Sequence, residues 1–91
     1  LHAVQSGYSD RSQDIFFRGR LYAMMHDSQN AIDDFSRALE LGLQTKDQAY
    51  AYYLRGLSHL RLQHIDLGLR DVSEGCRQNF SDACQLLEQI L

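Results

Sequence analysis

Shifted against itself by 37 residues, this chain falls back into its own register. Phe17-Arg18-Gly19 lands on Leu54-Arg55-Gly56, and Asp34-Phe35-Ser36 on Asp71-Val72-Ser73. Between these anchors Ile15 meets Tyr52, Phe16 meets Tyr53, Met25 meets Leu62, Ile32 meets Leu69 and Ala38 meets Gly75. A period of this length is one supersecondary unit used twice; such a unit cannot bury its apolar face alone and stacks on its neighbour. A shift of 34 residues adds a partial third copy, with Asp47-Gln48-Ala49-Tyr50 on Ser81-Asp82-Ala83-Cys84 and Tyr52-Tyr53 on Leu86-Leu87. Upstream, Ala3-Val4-Gln5-Ser6-Gly7-Tyr8 echoes Ala38-Leu39-Glu40-Leu41-Gly42-Leu43. The sequence therefore reads as a piece of a longer array.

The repeated unit reads as a helix pair. Proline is absent and β-branched residues are few, a composition that favours helix over strand. The expected fold is all-α, with stacked antiparallel pairs built from five helices near 12–25, 28–41, 47–62, 65–77 and 81–91. These make a first unit over 12–43, a second over 47–80 and a capping helix over 81–91, within one domain spanning 1–91. Expected helix starts are Asp27 before Ser28, Thr45 in capping-box spacing with Gln48, and Ser81 with Asp82 before Ala83. Gly42 and Asn79 are expected to close helices in the left-handed conformation, each followed by an apolar residue able to fold back.

Charge and hydropathy narrow the function classes. A formal charge of -3 provides no basic surface of the kind nucleic acid requires, so no nucleic-acid partner is expected. Apolar runs such as Ala49 to Leu54 fall far short of the roughly 20 residues that cross a bilayer, so this segment is not expected to insert in a membrane. The sequence has neither an initiator Met nor the layout of a signal peptide, which fits a fragment or processed form.

In the first unit Ile15, Gly19, Tyr22, Ala31, Phe35 and Ala38 stand in a spacing that resembles the tetratricopeptide repeat, a roughly 34-residue antiparallel helix pair. The resemblance implies a right-handed superhelix in which Gly19 and Ala31 let the helices of one unit approach. Ile15, Tyr22 and Phe35 would fill the space between units. The second unit keeps Gly56 and has Gly68 and Gly75 at small positions, but carries His59 where the aromatic belongs and Val72 in place of Phe. Ile90 replaces the small residue of the third copy, and the family's closing proline is missing throughout. In such arrays the first helix of each pair lines a concave groove for a peptide or partner helix. Carried onto this chain, that groove is Gln13, Phe16, Arg20 and Met24 from the first unit, with Tyr50, Tyr53, Leu57 and Arg61 from the second. Aromatics with interspersed Arg are the residues that carry energy in interfaces. The Lys and Asn set with which some family members clamp a terminal carboxylate is not recognisable.

The phrase Gly75-Cys76 with Ala83-Cys84 resembles the Sel1-like repeats of the cysteine-rich bacterial kind, which implies a Cys76–Cys84 disulfide. Cys76 falls in the last turn of one expected helix and Cys84 in the first turn of the next, where antiparallel helices bring positions side by side. The alternative is two small apolar residues in a helix seam. A redox pair would be spaced C-x-x-C. Zinc would need two further ligands, and His59 and His64, taken as lying on a helix, point in different directions. No metal or cofactor is expected. A disulfide would imply the periplasm or the outside of the cell; otherwise the cytoplasm is the expected compartment.

The remaining candidates suggest no catalysis. His2, His26, His59 and His64 are each without an obvious carboxylate or nucleophile partner, and Asp33 and Asp34, about 100° apart on a helix, are expected to face solvent. The expected function is a non-enzymatic scaffold for a protein or peptide. The competing expectation is homo-oligomerisation, or packing onto the rest of a longer repeat protein.

Overall fold

The computed structural model describes residues 10–91, which form five helices and no strand. They are α1 (Asp10–Met24), α2 (Ser28–Leu41), α3 (Thr45–Arg61), α4 (Ile65–Arg77) and α5 (Ser81–Ile90). The all-α class and the number of helices are as expected, and α2 and α4 have the expected limits. His2 and the echo at Ala3 to Tyr8 lie outside the described residues.

The helix starts correct the sequence reading. Gln44 and Phe80, one residue before Thr45 and Ser81, occupy the N-cap positions of α3 and α5. Asp27 does precede α2, yet its side chain does not cap the first turn; it accepts from Asn30 Nδ2 at 2.8 Å. These starts depend on backbone bonds and packing, as most helices in proteins do.

Three turns share one closing device. The Asp27 N–H donates to the Tyr22 carbonyl at 2.9 Å, that of His64 to His59 at 2.8 Å and that of Phe80 to Gly75 at 3.0 Å. The residue before each donor, His26, Gln63 or Asn79, has φ of 61°, 65° or 74°. This six-to-one bond over a left-handed residue is the Schellman closure. Asn79 and Gly42 (φ 104°) take the roles expected of them. His26 and Gln63 were not foreseen; Gln gives no sign of a left-handed conformation, and His adopts it less readily than Gly or Asn.

Within each pair the helices pack closely, α1 on α2 and α3 on α4; α3 also lies against α2, and α5 against α4. The main core is Phe16, Ala31, Phe35, Ala38, Leu43 and Ala51, with Ile15, Tyr22, Tyr50 and Leu54 half-buried around it. Ring contacts run from Phe35 to Phe16 to Tyr50 at 5.9 Å each, then through Phe80 at 5.3 Å to Tyr53 at 5.2 Å. The ladder passes from α2 through α1 and α3 to the α4–α5 turn.

The repeated anchors now acquire a physical meaning. Arg18 donates twice to Asp34, at 2.8 and 2.9 Å, and Arg55 twice to Asp71, at 2.6 and 2.8 Å. Asp34 therefore does not face solvent as expected; it is only 6% exposed and tied to α1. Asp33 is exposed and accepts from Gln29. Arg55 also donates to Ser36 Oγ at 3.1 Å, joining the second pair to the first.

Candidate functional site

A groove of about 240 Å³ lies between α1 and α3, lined by Arg20, Ala23, Met24, Tyr50, Leu54, Leu57, Ser58 and Arg61. Positions 20, 23 and 24 share one face of α1, while 50, 54, 57, 58 and 61 follow the three-and-four spacing of one face of α3. The wall is apolar and half-buried, with Met24 76% exposed at the rim. Ser58 is buried and satisfied, its Oγ donating to the Leu54 carbonyl at 3.0 Å.

Five of the eight residues expected in the groove line it: Arg20, Met24, Tyr50, Leu57 and Arg61. Phe16 does not. It is 3% exposed and sits beneath the groove between Phe35 and Tyr50, because the α1 face that packs on α2 and α3 rotates it inward. Gln13 lies outside the groove lining, with its Nε2 donating to Asp47 Oδ2 across α1 and α3 at 3.1 Å. Tyr53 faces Phe80 instead, and burial pushes its phenol above the ordinary value. Ala23, Leu54 and Ser58 are additions. Leu54 and Ser58 stand four and eight residues after Tyr50, so helical spacing alone could have found them.

The electrostatics of the groove are one-sided. The Arg20 guanidinium lies over the rings of Tyr50, Phe16 and Phe17 at 5.3, 5.8 and 6.0 Å. Arg61 donates to His26 Nε2 at 3.2 Å. Among the described residues the ion pairs belong to Arg18, Arg37, Arg55 and Arg77. Among the described residues neither groove arginine forms an ion pair with a carboxylate.

The cysteines and two of the histidines lie elsewhere. Cys76 and Cys84 are joined as a disulfide, with Cα atoms 4.7 Å apart, across the α4–α5 turn. His59 and His64 correct the expectation that they diverge along a helix. α3 ends at Arg61 and His64 is the N-cap of α4, so the turn between them brings the two Nδ1 atoms to 3.1 Å. Partial burial pushes His59 below the ordinary imidazole value.

No family model, curated protein or solved structure matches this chain.

Proposed function

We propose that this chain is a non-enzymatic interaction module of tetratricopeptide-like type. Its groove between α1 and α3 takes a peptide or partner helix carrying an acidic side chain beside an apolar one. The observation that carries this reading is the pair of arginines, Arg20 and Arg61, set in an apolar groove without a carboxylate partner. An apolar wall gives area, aromatic and Arg side chains supply concentrated binding energy, and cations without a carboxylate partner favour one. The disulfide supports an oxidising compartment, the periplasm or the outside of the cell.

The test is selection of peptides from a displayed random library, followed by affinity measurements on variants. Selected peptides should be enriched in Asp or Glu next to large apolar residues, and Arg61→Ala or Tyr50→Ala should weaken them by more than ~1 kcal/mol. Equal binding to an Arg20→Ala/Arg61→Ala double variant would remove the groove from consideration.

A second reading, self-association or packing onto a further helix pair, is favoured by the outer face of α1. Arg18 is 62% exposed where its repeat equivalent Arg55 is 22% exposed. Phe17 and Leu21 are exposed where their equivalents Leu54 and Ser58 are partly or fully covered. A mass by light scattering that rises with concentration, and stays monomeric in Leu21→Glu, is the expected result of that reading.

A further inference from the structure

The α3–α4 turn holds two imidazoles outside the groove. His59 belongs to the last turn of α3 and His64 is the N-cap of α4; their Nδ1 atoms are 3.1 Å apart and their ring centroids 5.4 Å. The backbone fixes their separation, since His64 N–H donates to the His59 carbonyl and Gln63 N–H to that of Leu60, at 2.8 and 2.9 Å. The same closure carries Tyr22 and Asp27 at the α1–α2 turn, and Gly75 and Phe80 at the α4–α5 turn. One backbone shape thus occurs three times, and only the middle copy places two ring nitrogens together.

Two neutral imidazoles at this distance share one proton in an Nδ1–H···Nδ1 hydrogen bond. When the donor ring passes to its Nε2–H tautomer through solvent, both Nδ1 lone pairs become free and no net proton is lost. Metal–nitrogen bonds of roughly 2.0–2.1 Å then close a triangle on the 3.1 Å separation at an angle of about 98°, between square and tetrahedral values. We propose that His59 and His64 form a bidentate site for a borderline divalent transition ion of the Zn²⁺ and Cu²⁺ class. Among the described residues no third His, Cys, Asp or Glu completes the group, so water fills the other positions and Cu²⁺ binds more tightly than Zn²⁺. Arg55 and Asp71, the charged neighbours of His59, are paired with each other and leave little net field. A bound ion links the end of α3 to the start of α4.

The test uses the protein with its disulfide intact, so that no thiolate competes, titrated with Zn²⁺ near neutral pH. Histidine-ring nitrogen NMR should show the Nδ1 signals of His59 and His64 moving together, with both rings in the Nε2–H form. His64 is exposed, so His64→Gln should still fold, with a metal-free Tm lower by only a few degrees through the lost bond to His59. It should weaken Zn²⁺ binding at least ~10-fold, because losing even an outer-shell partner costs that much. Zn²⁺ should raise the Tm of the parent protein and not that of His64→Gln. Zn²⁺ affinity unchanged in His64→Gln, or ring shifts confined to His2 and His26, would overturn the proposal.

Discussion

Arg18 and Arg55 make the same bidentate bridge at the same spacing, yet they sit in different surroundings. Asp71 and Asp34 are both buried, whereas Arg55 is 22% exposed and Arg18 62%. The hydrogen bonds from Arg55 to Asp71 hold its guanidinium above the ordinary value against the opposing pull of desolvation. Removing Asp71 therefore strands a cation that water reaches poorly, while removing Asp34 leaves one that water takes over. Asp71→Ala should cost about 3 kcal/mol or more in urea unfolding, and Asp34→Ala clearly less; equal losses would contradict this account. The repeat made the Asp positions visible in the sequence. It did not reveal that they face inward, because Asp33 and Asp34 look alike in one dimension and the arginine that selects Asp34 lies 16 residues away.

At the scale of the helix, glycine reverses its usual effect. An exposed mid-helix Gly→Ala normally stabilises by about 1 kcal/mol. At Gly56, however, an added Cβ would lie 2.8 Å from Val72 Cγ2 and 2.9 Å from the Gly68 carbonyl oxygen. At Gly68 it would lie 2.6 Å from Leu60 Cγ and 3.0 Å from the Gly56 carbonyl oxygen. The two glycines let α3 and α4 meet backbone to backbone, so Gly56→Ala should destabilise by roughly 1–3 kcal/mol, read from the denaturation midpoint. A stabilised Gly56→Ala would show that the helices separate at little cost. α5 is held differently. It packs on α4 through Ala83, which meets Gly75, and through a disulfide closing a loop of about nine residues, a link that contributes roughly 2–3 kcal/mol in the chain-entropy model. Cys84→Ala should lose about that much, with amide exchange accelerating first in α5; unchanged exchange there would mean that packing alone holds the helix. The small residues at positions 19, 56 and 68 were legible as places of close approach. The closures at His26 and Gln63 were not, since their left-handed backbones are imposed by the helices they join.

Across the whole molecule, the aromatic ladder from Phe35 to Tyr53 couples the two helix pairs. Phe16 lies near its middle, so Phe16→Ala should cost about 3–5 kcal/mol of stability in thermal or urea unfolding, and any binding loss in that variant reflects unfolding. Tyr50→Ala, at the half-buried groove wall, separates the two effects better. A Phe16→Ala protein of native stability would return that ring to the groove. The repeat and the helical composition by themselves determined the all-α class, five helices, their limits to within two residues at every end, and the left-handed closures at Gly42 and Asn79. These are local properties, set by propensity, periodicity and the conformational freedom of single residues. Only the tertiary structure decided which side of each helix turns inward, and with it the burial of Phe16 and Asp34, the pairing of His59 with His64 and the two groove arginines that lack a carboxylate partner. The physical reason is that one helix offers several apolar and charged faces of similar worth. The rotation that wins is the one that closes Gly56 onto Gly68 and Arg55 onto Asp71 together, a condition met between helices and written in neither alone.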